Sequence, residues 1–338
     1  MHIFVTGMTG YIASHMVALL HEQGHKVSGV DNFSNSTIES LERLETLCET
    51  DLVFEEVDVC NEERLKFALT IATKVNGPID AVMHFAGLKA VGESSKIPLH
   101  YYQTNIAGTL NLLGCMRDFG IKQFVFSSSA TVYGVPETTP LHEGCRTQST
   151  NPYGRSKLVI EELLEDIAAA DPEMRITRLR YFNPVGAHPS GLIGELPNGI
   201  PNNLMPYVFK VATGELPQVN VFGNDYETKD GTGVRDYIHV CDLVSGHLSA
   251  VKHLAKNKGL FTFNLGTGKG YSVLEMIQRT EAITGIKIPY AISERRPGDV
   301  GEVYADASLA KHVLNWEAEY NLDDMIYHQW QWARKADQ

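Results

Sequence analysis

Tyr153 and Lys157 are the residues whose types and spacing most directly suggest chemistry. They lie four apart, just after Asn151-Pro152. Asn favours the N-cap and Pro the first helical position, so the sequence predicts a helix starting here. Residues at i and i+4 share one helix face, so the phenol and the ammonium are expected to point into one space. A free phenol titrates near ~10, and bringing it to about 7 takes roughly 4 kcal/mol of preference for the phenolate. One ammonium about 6 Å away supplies only ~3 kcal/mol at an effective dielectric of 20. A second positive charge is needed before this tyrosine can serve as a base at neutral pH. Tyr-x-x-x-Lys also arises by chance on solvated helices, so the surroundings must decide.

The elements that position the pair alternate between strand and helix. Apolar runs at 3–6, 26–30, 52–57, 81–85, 123–127 and 177–181 read as strands. Helical patterns lie between them: 12–23 closed by Gly24, a capping box at Ser36-Thr37-Ile38-Glu39, one run over 98–118, and 152–170 carrying the pair. The alternation implies an α/β fold, a Rossmann-type doubly wound parallel sheet with right-handed crossovers. Ligands bind at the carboxyl ends of such strands. Gly7, Asp31, Asp58, Phe85, Ser129 and Tyr181 fall at those ends and are expected to cluster. From about Asn183 the alternation becomes irregular. A smaller, mixed α/β C-terminal substrate domain over 183–338 is therefore expected to follow a dinucleotide-binding domain over 1–182. Segments near 236–265 are expected to pack back on the first domain.

Gly7-x-x-Gly10-x-x-Ala13 follows the first strand and opens the first helix. That placement suits a tight turn whose bare backbone and helix N-terminus hold a diphosphate. Tyr11 and Ile12 belong to the same turn. Asp31 ends the second strand, where a carboxylate accepts adenosine ribose hydroxyls and repels a 2′-phosphate. NAD is thus favoured over NADP. Asn32, Asn35 and Ser36 continue this edge, and Asp58-Val59 is placed to meet the adenine. An oxidised nicotinamide would be the second positive charge that Tyr153 needs.

Composition narrows the alternatives. At 338 residues and a net charge of -12, the chain can bury a large core and is a poor nucleic-acid binder. Its five cysteines show no C-x-x-C pair, which reads as reduced thiols in a cytoplasmic protein. No signal peptide or membrane-spanning run is read in the sequence. The histidines have no metal-ligand spacing, and no metal is expected. His84, His188 and His239 read as structural.

Several strings occur together and in order: His84-Phe-Ala-Gly-Leu-Lys89, Ser127-Ser-Ser-Ala-Thr-Val-Tyr-Gly134, Tyr153-x-x-x-Lys157 and Arg180-Tyr-Phe-Asn-Pro-Val-Gly-Ala187. They continue through Pro201-Asn-Asn-Leu-Met-Pro206, Gly231-Thr-Gly-Val-Arg-Asp-Tyr-Ile-His239 and Arg296-Pro-Gly-Asp299. Over nearly its whole length the chain resembles the UDP-glucose 4-epimerase family of the extended short-chain dehydrogenase/reductases. The resemblance implies an NAD-dependent isomerase that oxidises sugar C4 transiently and keeps its cofactor bound. It implies Tyr153 as the base on the sugar 4-hydroxyl and Ser129 as its partner on the 4-oxygen. Lys157 is implied on the nicotinamide ribose, biasing Tyr153 toward phenolate. Phe85, Ala86, Gly87, Leu88 and Lys89 would form a cofactor wall with Ser127. Asn105 would join it, although the family often has two adjacent asparagines where this chain has Thr104-Asn105. Tyr181 and Phe182 would flank the nicotinamide.

The second half, by the same resemblance, holds a UDP-sugar. Asn183 is implied at the sugar. Asn202, Asn203 and Leu204 open a helix whose free amides suit a diphosphate. Asn220, Val221 and Phe222 lie on a strand whose end would meet uracil. Arg235 and Arg296 are read as diphosphate clamps, since a guanidinium matches phosphate oxygens in a bidentate way. Asp299 would take the ribose hydroxyls. Val303 stands where relatives restricted to UDP-glucose and UDP-galactose tend to carry a bulky aromatic. That suggests room for an N-acetyl group, and so UDP-GlcNAc and UDP-GalNAc as further substrates. Helices of the Tyr153 region form a homodimer in this family. Two rival functions stand beside the epimerase: a related nucleotide-sugar dehydratase or dehydrogenase, and a non-catalytic dinucleotide sensor. Ala130-Thr131 argues against the dehydratase, whose elimination needs a carboxyl group there. The retained Tyr/Lys pair argues against the sensor.

Overall fold

The computed structural model describes residues 1–196, 199–296 and 299–336. Pro297 and Gly298 of the Arg296–Asp299 motif therefore lie outside the described residues.

The first half builds six strands: β1 (His2–Thr6), β2 (Lys26–Asp31), β3 (Val53–Glu56), β4 (Ala81–His84), β5 (Gln123–Ser127) and β6 (Arg175–Tyr181). Between them run α1 (Tyr11–Glu22), α2 (Ile38–Cys48), α3 (Glu62–Asn76), α4 (Val91–Ser94), α5 (Pro98–Tyr102), α6 (Gly108–Asp118) and α7 (Pro152–Ala170). The second half adds β7 (Asn183–Val185), β8 (Val219–Phe222), β9 (Val234–His239), β10 (Gly259–Leu265), β11 (Gly270–Ser272), β12 (Tyr290–Ser293) and β13 (Glu302–Val303). Its helices are α8 (Leu204–Ala212), α9 (Val240–Leu254), α10 (Val273–Thr284), α11 (Ser308–Leu314) and α12 (Leu322–Ala336).

The central sheet is parallel and seven-stranded, in the order β10-β6-β5-β4-β1-β2-β3. The order reverses between β1 and β4, so a crevice opens at their carboxyl ends. Side chains alternate across the sheet. Ile3, Val5 and Met83 enter one core with α1 and α9, while Phe4, Val82, Phe124 and Phe126 enter the other with α3, α6 and α7. Because both faces are covered, the strands read as continuous apolar runs. The stretch 240–265 belongs to this layer: α9 packs on α1, and β10 pairs with β6. The remainder of the second half forms smaller sheets, β11-β9-β13 with β7, and β12-β8, each backed by its own apolar cluster.

Two local expectations need correction. Ser36 does not cap α2: the cap position is Thr37, with no side-chain cap bond. The Ser36 hydroxyl instead meets Thr9 Oγ1 at 2.7 Å and donates to Asp31 Oδ1 at 3.3 Å. A tertiary acceptor has taken the group that a capping box would use. The run over 98–118 is not one α-helix either. A π-helical turn at Gln103–Ala107 separates α5 from α6. Such turns are often found at functional sites, and this one carries Asn105.

Candidate active site

Helix α7 starts as the sequence predicts: the Asn151 side chain accepts from the Gly154 amide at 2.9 Å, and Pro152 takes the first helical position. Gly154 lets the helix approach the turn after β5, since a Cβ there would lie 2.3 Å from Ser149 Oγ and 3.0 Å from the Thr131 carbonyl. That brings Tyr153 to Ser129, which hydrogen-bonds the phenol. Burial pushes the phenol up from its ordinary value, opposed by the Ser129 bond and the Lys89 charge. Ser129 is itself held by the amide and the hydroxyl of Thr131, which donate to it at 3.2 and 3.0 Å.

Lys157 is buried on the same face of α7 as Tyr153. Its Nζ donates to the Ser127 carbonyl at 2.8 Å and sits 4.9 Å from the Phe126 ring centroid. Burial pulls this ammonium down to about 8, against the pull of Glu161. Lys89 adds a positive charge that acts on the phenol. Lys89 reaches in from the Phe85–Lys89 segment and is paired with Glu195 at 2.9 Å.

The dinucleotide turn has the geometry that its glycines require. Gly7 has φ +71°, and a Cβ there would lie 2.8 Å from the Ala86 amide nitrogen, so β1 and β4 meet with no room for a side chain. Gly10 caps α1 with no side-chain bond, leaving the first-turn amides without an intrahelical partner. Asp31 is buried at the end of β2. One carboxylate oxygen accepts from the Thr9 amide at 3.1 Å, the other from the Phe33 amide at 3.0 Å. Oδ1 also accepts from Ser36, so it is Oδ2 that keeps a further lone pair. Asn32 donates to Asp58 at 3.1 Å, joining the ends of β2 and β3, and Val59 is buried beneath them. The Tyr11 hydroxyl donates to the Gly186 carbonyl at 2.6 Å, and Ile12 packs on the core. Asn35 and Ser36 line a small cleft with Thr9, Lys89 and Glu195.

The cofactor wall is braced from behind. Phe85 packs against the His247 ring at 4.9 Å. Asn105 clamps Leu88, accepting from its amide at 2.8 Å and donating to its carbonyl at 3.0 Å. The Ser127 and Tyr181 hydroxyls share a short hydrogen bond. Phe182 is held in an apolar cluster with Val132, Tyr133, Leu141 and Ala305, with Val303 packed at its edge.

The second-half residues are spread over β7, β8, β9, β13, the start of α8 and the positions of Arg296 and Asp299. Asn183 is exposed and pairs its backbone with Tyr237. Asn202 and Asn203 are exposed at the start of α8, and Asn203, the cap residue, makes no side-chain cap bond. On β8, Val221 is buried and Asn220 exposed, while Phe222 carries the Arg296 guanidinium at 3.8 Å from its centroid. Arg235 donates to Asp299 at 3.3 Å and is in register with Val303.

The comparisons with known proteins follow the same lines. A family model described as GDP-mannose 4,6 dehydratase matches residues 4–329. A UDP-glucose 4-epimerase of Bacillus subtilis is 52% identical over 332 residues, covering 98% of this chain and 96% of the relative. This chain belongs to the UDP-glucose 4-epimerase family. A Bifidobacterium longum UDP-glucose 4-epimerase solved with NAD⁺ and UDP superposes with a TM-score of 0.95 at 50% identity, over 100% of this chain and 99% of that one. The Stenotrophomonas maltophila UDP-glucose-4-epimerase, solved with NAD and formylated UDP-arabinopyranose, gives the same TM-score, identity and coverage. The family model's description names a dehydratase, yet the turn after β5 presents Ala130 and Thr131 beside Ser129, with no carboxylate.

The sequence missed two groups that hold this site together. Glu161 is buried on α7, accepting from Ser128 Oγ at 2.6 Å and from Arg180 Nε at 3.0 Å. Its position four residues after Lys157, on the same helix face, was a readable signal. Glu195 gave none, because its partner Lys89 is 106 residues away.

Proposed function

We propose that this chain interconverts UDP-galactose and UDP-glucose by reversible epimerisation at sugar C4, with NAD tightly bound. The carrying observation is the meeting of Tyr153 and Ser129 at the carboxyl ends of β5 and α7's start, beside a glycine turn that only a bare backbone can make. The site fits NAD: open amides at α1 suit the diphosphate, and Asp31 Oδ2 has a lone pair for the adenosine ribose. Asn32, Asn35, Ser36, Asp58 and Val59 border the adenosine end. The Phe85–Lys89 wall, Asn105, Ser127, Lys157, Tyr181 and Phe182 border the nicotinamide end. Bound there, NAD supplies a reversible two-electron acceptor for sugar C4.

The chain's own groups do the rest. Tyr153 removes the proton of the 4-hydroxyl and returns it after the 4-keto sugar has turned over. Ser129 orients the 4-oxygen for both transfers. Burial alone favours the neutral phenol, so Lys89 and the positive charge of the oxidised cofactor ring must act together to make it a base. Arg235, Arg296 and the amides at Asn202–Leu204 hold the diphosphate. Asp299 holds the ribose, Asn183 the sugar, and the Asn220–Phe222 strand end the uracil. In this reading 1–182, completed by α9 and β10, is the cofactor domain, and the rest of 183–338 is the substrate domain.

The test is an NMR time course of the purified protein with UDP-galactose and no added NAD. Conversion to UDP-glucose at unchanged mass is expected, and Tyr153→Phe should bind UDP-sugar yet turn over orders of magnitude more slowly. Loss of water from the product selects a dehydratase. No conversion by protein with bound NAD selects the sensor.

Val303, packed beside Phe182 and Val132, extends the proposal to UDP-GlcNAc and UDP-GalNAc. Turnover of UDP-galactose without turnover of UDP-GlcNAc removes that extension. Exposed Val91, Ile97, Leu99 and Leu110 on and around α4, α5 and α6 suit pairing with a second copy of the chain. All five cysteines are free, as a reducing cytoplasm permits. No helix among the described residues is long and apolar enough to cross a membrane.

A further inference from the structure

A series of buried hydrogen bonds starts beneath the glycine turn and ends on Tyr153. The Ala86 amide donates to Thr6 Oγ1 at 3.3 Å, and Thr6 Oγ1 lies 2.6 Å from His84 Nδ1. His84 Nε2 lies 2.9 Å from Thr109 Oγ1, which donates to the Asn105 carbonyl at 2.6 Å. One proton arrangement satisfies the series. Thr109 uses its only hydroxyl proton on Asn105, so it accepts from His84 Nε2–H. His84 Nδ1 is then a lone pair that accepts from Thr6. The imidazole must be neutral, and burial together with the Lys157 charge pulls it down to about 3.

Asn105 is the junction at the far end. Its side chain clamps Leu88 in both directions and donates to Ser156 Oγ at 2.9 Å, and Ser156 donates to the Tyr153 carbonyl at 2.7 Å. Gly87 lies against it, since a Cβ there would be 3.1 Å from Asn105 Oδ1. One asparagine thus fixes both the cofactor wall and the first turn of α7. Being in a π turn, it lies where the regular helical ladder is broken; its carbonyl accepts from the Gly108 amide and from the Thr109 hydroxyl, which His84 holds in turn.

We propose that His84 is a positioning residue for the epimerisation: through Thr109 and Asn105 it sets where the Tyr153 phenol stands relative to the Phe85–Lys89 wall. The inference rests on the proposed epimerase reading, which the wild-type conversion assay tests separately. His84→Leu, His84→Gln, Thr109→Val and Thr109→Ser are compared as purified holoproteins with UDP-galactose. His84→Leu and Thr109→Val leave buried partners unpaired, so kcat should fall about ten-fold or more while KM stays within about two-fold. Gln offers an acceptor to Thr6 and a donor to Thr109, and Ser restores the hydroxyl, so both should recover most of the rate. Combined with Ser156→Ala, the His84→Leu loss should be less than additive, because both act through Asn105. Unchanged kcat in folded His84→Leu and Thr109→Val, failure of Gln and Ser to restore it, or full additivity with Ser156→Ala overturns the proposal. Where His84→Leu does not fold, the Thr109→Val and Thr109→Ser pair decides by the same criteria.

Discussion

Lowering the pH to 5 should remove much of this protein's stability. Burial pulls His15 and His84 down to about 3, His239 to about 2 and His247 to about 4. In the unfolded chain each titrates near ~6.5. A histidine held below its unfolded value contributes its full stability above that value and loses it as the pH falls toward the folded one. At pH 5 each of the four is still neutral in the fold and protonated in the unfolded chain. The loss is about 2 kcal/mol each, or roughly 8 kcal/mol together, wherever below 5 the folded values lie. Asp242, pushed up to about 6 by burial, works in the opposite sense. It takes up a proton in the folded protein and returns about 1.4 kcal/mol at pH 5. Buried Asp236 and Glu143, also raised, act in that direction too. A net loss of about 6 kcal/mol is comparable to the ~5–15 kcal/mol stability of an ordinary fold. Equilibrium urea unfolding between pH 8 and 5 measures it. Near pH 5.5 the slope should correspond to about three protons, or about 4 kcal/mol per pH unit. His247→Gln should remove about one proton from that slope, since His247 donates only to the Leu243 carbonyl and its other nitrogen has no partner. A wild-type slope below one proton, or an unchanged slope in His247→Gln, refutes the reasoning.

Other expected outcomes follow from single contacts. Glu161→Gln should cost about 3–5 kcal/mol in urea unfolding at pH 8, because it strands the buried Arg180 guanidinium; a loss below about 1 kcal/mol would show that Arg180 finds another partner. Val303→Tyr should selectively suppress any turnover of UDP-GlcNAc while UDP-galactose turnover persists, and equal suppression of both would deny a size filter at this position. Leu99→Glu, at a side chain 68% exposed, should convert a sedimenting dimer to monomer. A wild-type monomer, or a variant that stays dimeric, moves the interface off this face.

Much of the fold was legible because its signals are local. Alternation of apolar runs with helical patterns gave the strands of the first half within a residue or two, and Asn151-Pro152 gave the start of α7. Strand ends then gave the candidate site: a parallel sheet brings six residues at carboxyl ends to one edge, whatever their separation in sequence. The strand β10 is harder to read, because its partner β6 precedes it by a stretch that belongs to the other layer. Most of the distant side-chain partners were not legible. Ser36 had a local role available as a helix cap and a distant one at Asp31, and spacing could not choose between them.

Lys157 shows how much helical spacing says about a side chain and where it stops. Its spacing from Tyr153 did place both side chains on the buried side of α7. A buried ammonium, though, must satisfy its donors where acceptors exist, and the Ser127 carbonyl and the Phe126 ring are there to take it. A further charge on the phenol comes from Lys89, on a segment 64 residues earlier in the chain, which Glu195 holds in place. Helical spacing says which groups share a space. Hydrogen-bond satisfaction says which of them face each other, and it depends on residues brought in from elsewhere in the chain. That is also why His84, whose ring looked merely structural in sequence, stands closer to the chemistry than its position suggests.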